Sequence, residues 1–448
     1  MAKKRRKKKI KWSGVALLAF LLLVCLGAIV GLLWGLVWLV MSLFGSSTEQ
    51  SGNEKVGVEV CDPALLRQDS LRAVQVGRLV AQSHQLDSTD LAIALYDATT
   101  RRLVYTHHAD QLMTPASCMK IPTAIAALER LGMDHCYESS LRVRGEMVGD
   151  TLVGELLLQA DDDPLIVSFD SLVGMMRDTG IRAVRGHLEF DLTRIDKLDS
   201  HPTTQSWDIK EGRLTVLLHG EQRVHDELRS SLSRCGVAYV PDSEVGGQGE
   251  WREVAHQETL LKDVLIPTLI FSSNIKAEAV FYHLDVQEQL IQDRQMHWDH
   301  KHAVQDFWER TLINKRYKPS HILNMVQATM LDGSGLSPDN RLSANLLVDM
   351  LLYAWDRDSL RTYLIDEALA SPGDGWRRGS LSGRMSSPSF RDRIFVKTGT
   401  LGSAGVSSLA GYIHSTDDHW YIFSIINQNC PVAEGRLFQD AFCSLFVK

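Results

Sequence analysis

The sequence predicts an α/β domain that is interrupted by an inserted α+β subdomain and preceded by a membrane-spanning helix. Strand-like segments stand near both ends of the main body with helix-rich segments between them, as expected when one sheet is built from both ends of a chain. Residues 141–256 instead alternate strand-like pieces with short helices, such as "TLVGELLLQA" and "FDSLVGMMRDTG", and this change indicates an insertion. A long apolar run near the N-terminus supplies the third element.

The N-terminal segment has the length and charge pattern of a membrane anchor. Trp12 to Thr48 carries no charged residue, and the 30 residues from Val15 to Phe44 are an apolar run, enough for about 45 Å of helix. Residues 1–11 hold eight Lys and Arg and no acid, so the positive-inside rule places them in the cytoplasm and the body outside. We predict a basic tail at 1–11, a transmembrane anchor at 12–44 and a flexible tether at 45–60. A long signal sequence cleaved near "GSS" is the alternative.

The glycine spacing, the net charge and the cysteine pattern indicate which partners and ligands to expect. Gly27, Gly31 and Gly35 recur every fourth residue inside the predicted anchor, so a homodimer would form through this helix face. Beyond residue 11 there remain 40 of the 48 Lys and Arg against 55 Asp and Glu, a net charge of −15, which argues against nucleic-acid binding by the body. The seven cysteines are scattered without a C-x-x-C pair, so the sequence indicates no metal pattern.

The body divides into segments with patterns typical of helices and strands. Pro63 to Ser83 has a helical pattern, Leu91 to His108 alternates as a hairpin, and the chain from Glu258 to about Leu369 is rich in helix. Near the C-terminus, "RIFVKTGTL", "VSSLAGYI" and "WYIFSIIN" are typical of strands, and "AEGRLFQDAFCSLF" is an amphipathic helix. We therefore assign residues 61–140 and 257–448 to the main domain and residues 141–256 to the insertion.

The stretch "TPASCMKIPT" (114–123) places a hydroxyl and an amine three residues apart. A serine hydroxyl becomes a good nucleophile only when a neighbouring base takes its proton. Positions i and i+3 of a helix share a face, so Ser117 and Lys120 can approach within hydrogen-bond distance. Burial among apolar neighbours would lower the pKa of the lysine, as the role of base requires. A serine at a helix start is also a common cap, so the pair alone leaves both interpretations open.

Two further patterns accompany this pair. S-x-N fits Ser272 to Asn274, although it also occurs at Ser51/Asn53 and Ser343/Asn345, and S-x-x-K has a second copy at Ser273/Lys276. K-T-G-T occurs once, from Lys397 to Thr400, in a strand pattern. This strand offers an ammonium group, two hydroxyls and a glycine that permits close approach, which suits an extended peptide ending in a carboxylate.

Two polar stretches are interpreted as structural. "DGSGLSPDNR" (332–341) lacks the alternating carboxylates and terminal Glu of a calcium loop, and its Asp-Gly and Ser-Pro pairs are typical of turns. "HWDHKH" (297–302) has no evident fourth metal ligand and is typical of an exposed polar helix.

In this order, S-x-x-K, S-x-N and K-T-G form the signature of penicillin-binding proteins and serine β-lactamases. With "DGSGLSPDNRLSANLL" and "GSLSGRM" added, the sequence resembles the low-molecular-mass class C penicillin-binding proteins, which are D-alanyl-D-alanine carboxypeptidases/endopeptidases. The resemblance runs from about Leu91 to the C-terminus and selects Ser272/Asn274 over Ser343/Asn345. It implies the penicillin-recognising serine transpeptidase/β-lactamase-like fold, an antiparallel sheet flanked by helices, with an insertion between the first two motifs.

The resemblance assigns a role to each residue of the first two motifs. Ser117 would attack the carbonyl of the penultimate D-alanine, and Lys120 would take its proton. Ser272 would relay a proton to the leaving amine, while Asn274 would orient Lys120 and the substrate amide.

The third motif would bind the substrate. Lys397 would supply positive potential, Thr398 and Thr400 would hold the terminal carboxylate, and Gly399 would allow close approach. The backbone N–H groups of Ser117 and Thr400 would form the oxyanion hole. No metal or organic cofactor is implied. The expected partners are peptidoglycan stem peptides, with β-lactams as inhibitors, and the expected location is the bacterial cytoplasmic membrane with the body outside it.

Three functions stay open at this point. The first is a membrane-anchored D,D-peptidase, and the second is a serine β-lactamase with the same nucleophile. The class A deacylation motif E-x-x-L-N has its nearest counterpart in "SHILN", where Ser320 stands in place of the glutamate. The third is a non-catalytic penicillin-recognising receptor, which the intact motif triplet disfavours.

Overall fold

The computed structural model describes residues 63–83, 90–192, 221–292, 302–314, 319–373 and 375–448. The predicted tail, anchor and tether, with Gly27, Gly31 and Gly35, lie outside these residues. No helix in the described part of the chain is both long and apolar enough to cross a membrane.

The main sheet is antiparallel and joins both ends of the body, as the sequence predicts. Its strand order is β2-β1-β10-β9-β8, so β8, which carries Lys397 to Thr400, lies at one edge. The predicted hairpin is formed by β1 and β2, and the three predicted C-terminal strands are β8, β9 and β10. The bounds are Leu91–Asp97 (β1), Arg102–His107 (β2), Ile394–Leu401 (β8), Val406–His414 (β9) and Trp420–Asn427 (β10).

Strands β1, β8, β9 and β10 are buried on both faces of this sheet, and alternate residues of each strand point to opposite sides. Ala92 and Ala94 of β1 belong to one apolar cluster, shared with the helices between the two ends of the sheet. Leu91 and Ile93 belong to the other, shared with the terminal helices α1 (Pro63–Gln82) and α11 (Val432–Val447). The sheet is therefore the middle of three layers.

The helices between the ends of the sheet pack as one layer, in which Trp308 is fully buried and donates from Nε1 to the carbonyl of Pro122 at 3.0 Å. This layer brings the start of α2 and the start of α6 together beneath β8. Its members are α2 (Lys120–Leu131), α5 (Leu261–Ile270), α6 (Asn274–Gln292), α7 (Ala303–Asn314), α8 (Pro319–Gln327), α9 (Ala344–Trp355) and α10 (Asp358–Tyr363).

A second, mixed sheet has the order β6-β5-β4-β3-β7 and its own apolar core with helices α3 (Asp170–Asp178) and α4 (Glu221–Arg234). It runs from Cys136 to Leu260 and so extends past both ends of the predicted insertion, whose bounds at 141 and 256 stay a prediction. The strands are Cys136–Val148 (β3), Thr151–Ala160 (β4), Ala183–Asp191 (β5), Ala238–Pro241 (β6) and Arg252–Leu260 (β7).

Candidate active site

Ser117 and Lys120 lie where the chain turns into α2. Ser117 belongs to a short 3₁₀ helix, Ala116–Met119, and Lys120 is the first residue of α2. Lys120 is fully buried, and its Nζ lies 3.1 Å from Ser117 Oγ. Ala116, directly before the serine, has φ +46°, a left-handed conformation that costs a non-glycine residue about 1–2 kcal/mol. Such strain is common where the fold must hold a functional side chain in one orientation.

Two oxygens besides the serine surround the lysine nitrogen. Asn274 Oδ1, at the start of α6, lies 2.8 Å from Lys120 Nζ, and the carbonyl of Ser334 lies 2.6 Å from it. An uncharged amine has two hydrogens and one lone pair, so Lys120 Nζ can donate to both of these oxygens and accept the Ser117 proton. The arrangement therefore permits Lys120 to act as a base toward Ser117.

Lys397 is the second buried ammonium group of the site. Its Nζ donates to the carbonyl of Thr398 at 2.7 Å. Burial, and then the nearby charge of Lys120, lower the pKa of Lys397 to about 7. An anion that approaches this strand would restore the positive charge, since opposite charge favours the protonated form.

β8 packs directly on the turn that carries the nucleophile. A Cβ at Gly399 would lie 2.1 Å from Ser408 Oγ and 2.7 Å from the carbonyl of Pro115, so only glycine fits this contact. Ser408 Oγ donates to the Pro115 carbonyl at 2.6 Å, and Cys118 Sγ donates to the carbonyl of Lys397 at 3.3 Å. Burial raises the pKa of the Cys118 thiol, which keeps this thiol protonated beside the serine.

The open edge of β8 presents backbone donors beside Ser117. Val396 and Ala370 exchange two backbone hydrogen bonds, of 2.8 and 3.1 Å, on the side away from β9. Because N–H directions alternate along a strand, the N–H groups of Thr398 and Thr400 point to that same open side. The edge from Thr398 to Thr400 can therefore accept an extended peptide as an added strand.

Comparison with known proteins identifies the group to which this site belongs. The sequence profile described as the D-Ala-D-Ala carboxypeptidase 3 (S13) family matches residues 73–215 and 222–445. The chain belongs to this family. A D-alanyl-D-alanine carboxypeptidase of Actinomadura sp. (strain R39) is 23% identical over 463 residues, which cover 81% of this chain and 82% of the relative. The enzyme class is thus a serine-type D-Ala-D-Ala carboxypeptidase, as the sequence resemblance predicts.

Solved structures share the fold. Penicillin binding protein 4 from Haemophilus influenzae, complexed with a β-lactam, superimposes with a TM-score of 0.60 and 18% identity over 84% of this chain and 99% of that chain. A predatory endopeptidase from Bdellovibrio bacteriovorus, in complex with an immunity protein, gives 0.54 and 13% over 79% and 92%. The predicted penicillin-binding, β-lactamase-like α/β architecture is therefore confirmed for the described part of the chain.

The other copies of the S-x-N and S-x-x-K motifs in this S13 peptidase make structural hydrogen bonds. Ser343 Oγ accepts from the N–H of Leu346 at 3.1 Å and caps α9, while Asn345 Nδ2 donates to Asp110 Oδ1 at 2.7 Å. Ser273 Oγ accepts from the N–H of Lys276 at 3.5 Å, at the start of α6. Ser51/Asn53 lies outside the described residues.

Ser272, the predicted proton relay, stands in the bend directly before α6, two residues from Asn274. Its φ is +60°, which for a serine is again a strained left-handed conformation. Within or beside the first two motifs, Ala116 and Ser272 are the two non-glycine residues with a left-handed conformation.

The loop 332–341 is a wall of the site, a role that turn chemistry alone did not reveal. The predicted turn is confirmed, since the Asp332 carboxylate accepts from the N–H groups of Gly335 and Ser337, both at 2.6 Å. The loop also supplies the Ser334 carbonyl to Lys120. A Cβ at Gly335 would lie 1.9 Å from the carbonyl of Ala116, so this loop touches the backbone of the nucleophile. The signal available in the sequence was a glycine-flanked serine within a rigid turn.

Glu278 was missed because nothing in the sequence distinguishes it from an exposed helix residue. It lies one turn after Asn274 on α6, and its carboxylate accepts from the N–H groups of Gly333 and Ser334 at 3.3 and 3.0 Å. Burial, and then the charge of Asp332, raise the pKa of Glu278 to about 8. Glu278 therefore positions the loop that holds Lys120.

Arg436 was also not predicted. It projects from α11, is exposed, and donates from Nη2 to Thr400 Oγ1 at 3.0 Å. The guanidinium leaves the Thr400 hydroxyl hydrogen free to donate to a further acceptor at the strand edge.

Proposed function

We propose that this chain is a membrane-anchored D,D-carboxypeptidase/endopeptidase that acts on the D-Ala-D-Ala stem peptides of peptidoglycan through an acyl-enzyme on Ser117. The observation that carries the proposal is the fully buried Lys120, whose Nζ is shared among Ser117 Oγ, Asn274 Oδ1 and the Ser334 carbonyl. That arrangement is what a serine nucleophile with a lysine base requires.

In the acylation step, Ser117 Oγ attacks the carbonyl carbon of the penultimate D-alanine while Lys120 Nζ takes the hydroxyl proton. The oxyanion accepts hydrogen bonds from the N–H groups of Ser117 and Thr400. The N–H of Thr400 is available because it points to the open edge of β8. The C–N bond then breaks, and the departing amine receives a proton through Ser272. Water hydrolyses the resulting ester, which frees Ser117.

The substrate carboxylate binds at β8. Thr398 and Thr400 donate from their hydroxyls, and Lys397 supplies the positive potential. The same recognition accounts for inhibition by β-lactams, which carry a carboxylate beside a reactive carbonyl. The solved structure of penicillin binding protein 4 from Haemophilus influenzae, complexed with a β-lactam, supports this part of the proposal.

The location belongs to the proposal as well. The apolar run at 12–44 and the basic residues before it would hold the chain in the bacterial cytoplasmic membrane with the body outside, where peptidoglycan lies. A homodimer would use the face of Gly27, Gly31 and Gly35.

The test is covalent labelling of the purified full-length chain with a fluorescent penicillin, with the label located by peptide mass. We expect a stable adduct on Ser117 that Ser117→Ala abolishes. Ser273→Ala, which alters the second S-x-x-K copy, is the matched control and should label like the unchanged protein. Labelling that survives Ser117→Ala and disappears in Ser273→Ala would overturn the assignment. Rapid loss of the adduct with hydrolysis of the drug would instead favour a β-lactamase.

A further inference from the structure

The start of α11 packs closely against the end of the main sheet that carries Thr400. Thr400 on β8 pairs with Ser407 on β9. A Cβ at Gly435 of α11 would lie 2.3 Å from Ser407 Oγ, so the helix approaches the sheet at this glycine. Gln439, one turn further along α11, donates from Nε2 to the same Ser407 oxygen at 3.1 Å. These contacts bring the residue after the glycine, Arg436, to the end of β8.

The guanidinium of Arg436 contacts the strand edge and has no acidic partner among the described residues. Its Nη2 donates to Thr400 Oγ1 at 3.0 Å, and the side chain is exposed. Arg384, which also contacts α11, is instead paired with a carboxylate, since its Nη2 lies 2.6 Å from Asp440 Oδ1. A guanidinium has five N–H donors. Arg436 can therefore bind a second acceptor beside Thr400.

The charge of Arg436 differs in kind from that of Lys397. Burial, and then the nearby charge of Lys120, lower the pKa of Lys397 to about 7, so part of the Lys397 population is neutral at neutral pH. A guanidinium stays charged over the whole pH range in which proteins are folded. Arg436 thus supplies a permanent positive charge at the end of β8 where the substrate carboxylate is expected.

We propose that Arg436 is a specificity-determining residue that binds the C-terminal carboxylate of the substrate together with the Thr400 hydroxyl. This inference rests on the proposed function, in which that carboxylate lies at Thr398 and Thr400. The Thr400 oxygen accepts from Arg436, so its hydroxyl hydrogen is directed to one carboxylate oxygen. A second N–H of the guanidinium donates to the other oxygen, and such charge-assisted hydrogen bonds are stronger than neutral ones. Ligands with a free carboxylate are therefore favoured over their esters and amides.

The test compares acylation of the purified full-length chain by benzylpenicillin and by its methyl ester, which keeps the β-lactam ring and lacks the negative charge. We expect Arg436→Gln to slow the second-order acylation by benzylpenicillin about 10-fold through the loss of one charge-assisted hydrogen bond. The rate with the ester should not change. Arg436→Lys keeps the charge, so it should recover part of the rate at low ionic strength and lose this gain at high ionic strength.

Two variants are matched controls for this comparison. Leu437→Gln changes the neighbouring exposed residue of α11, and Arg310→Gln removes an exposed charge from α7. Both should acylate at the unchanged rate with both compounds. An equal loss of rate with the acid and the ester in Arg436→Gln would mean that Arg436 holds Thr400 in place and does not bind the carboxylate. That result, or no loss with either compound, would overturn the inference.

A binding measurement separates this inference from the proposed function. The Ser117→Ala protein lacks the proposed nucleophile, so NMR titration with a peptide ending in D-Ala-D-Ala reports binding without acylation at Ser117. Adding Arg436→Gln should raise the Kd of the free acid about 10-fold and leave the Kd of the C-terminal amide unchanged. This outcome would support the role of Arg436 even if penicillin labelled a residue other than Ser117. Equal Kd values for the free acid with and without Arg436→Gln would refute it.

Discussion

Replacing Gly399 with alanine tests whether the close contact between β8 and the turn that carries Ser117 positions the two predicted oxyanion donors. The added Cβ would lie 2.1 Å from Ser408 Oγ, 2.7 Å from the Pro115 carbonyl and 3.1 Å from the N–H nitrogen of Cys118. Ser408 cannot simply rotate away, because its hydroxyl bonds to Pro115 at 2.6 Å and contacts Cys118 Sγ at 3.2 Å.

The size of the effect follows from these distances. Ordinary contacts of a Cβ begin at 3.4 Å, so the strand and the turn must separate on the order of 1 Å. That displacement moves the N–H of Thr400 away from the N–H of Ser117, the two predicted oxyanion donors. A misplacement of about 1 Å can cost about 10²-fold in rate, and we expect acylation by penicillin to slow by about that factor. Overpacking should also lower the free energy of unfolding by about 1–3 kcal/mol.

The assay is the second-order rate of penicillin acylation, measured with the thermal midpoint of the same samples. Gly402→Ala is the control, because a Cβ at Gly402 meets no atom within 4 Å and the residue lies three positions along the same chain segment. It should acylate at the unchanged rate. A Gly399→Ala protein that acylates as fast as Gly402→Ala would show that the close contact has no part in catalysis.

Three further predictions concern charge and strain. The lowered pKa of Lys397, about 7, predicts that kcat/KM for a D-Ala-D-Ala peptide falls above about pH 7 as the ammonium loses its proton; a pH profile with a C-terminal amide in place of the carboxylate should lack this dependence. Because the pKa of Glu278 rises from 4.5 to about 8 on folding, its stabilising protonated form is lost as pH rises through 8. The stability of the unchanged protein should therefore fall relative to Glu278→Gln by on the order of 1 kcal/mol per pH unit between these values. Denaturant unfolding at several pH values measures this difference, and parallel curves would contradict it. Ser272→Gly should raise the free energy of unfolding by about 1 kcal/mol through relief of the left-handed strain, whereas Ser272→Ala should not; a less stable glycine variant would contradict the strain.

Local patterns were enough to predict the sheet, whereas the motif residues were predicted from the resemblance to a known family. The alternating hairpin and the three apolar C-terminal strands are present in the predicted order because strands buried on both faces leave a continuous apolar signature. Each motif is ambiguous alone, since S-x-x-K and S-x-N both have further copies in the sequence. The order of the three motifs carried the resemblance that named Ser117, Lys120 and their partners.

Contacts between distant segments outside the three motifs could not be predicted. Ser334 approaches Lys120 across more than 200 residues of sequence, and the carboxylate of Glu278 gains its role only when α6 packs against the loop 332–341. Neither residue differs in type from an ordinary turn or helix position. The pairing of β3 with β7, which begins at Cys136 and Leu260, also joins segments more than 100 residues apart, and no local pattern reveals it.

Helix α6 connects the active site to the second sheet. Asn274 contacts the lysine base, Glu278 fixes the wall loop one turn later, and His283 reaches Asp162 beside the second sheet. These three residues lie on one continuous helix. A shift of α6 relative to the second sheet would therefore also move the amide that faces Lys120. A small molecule that binds beside His283 and shifts α6 would therefore change the position of Asn274 from a distance, and such a molecule needs no β-lactam ring.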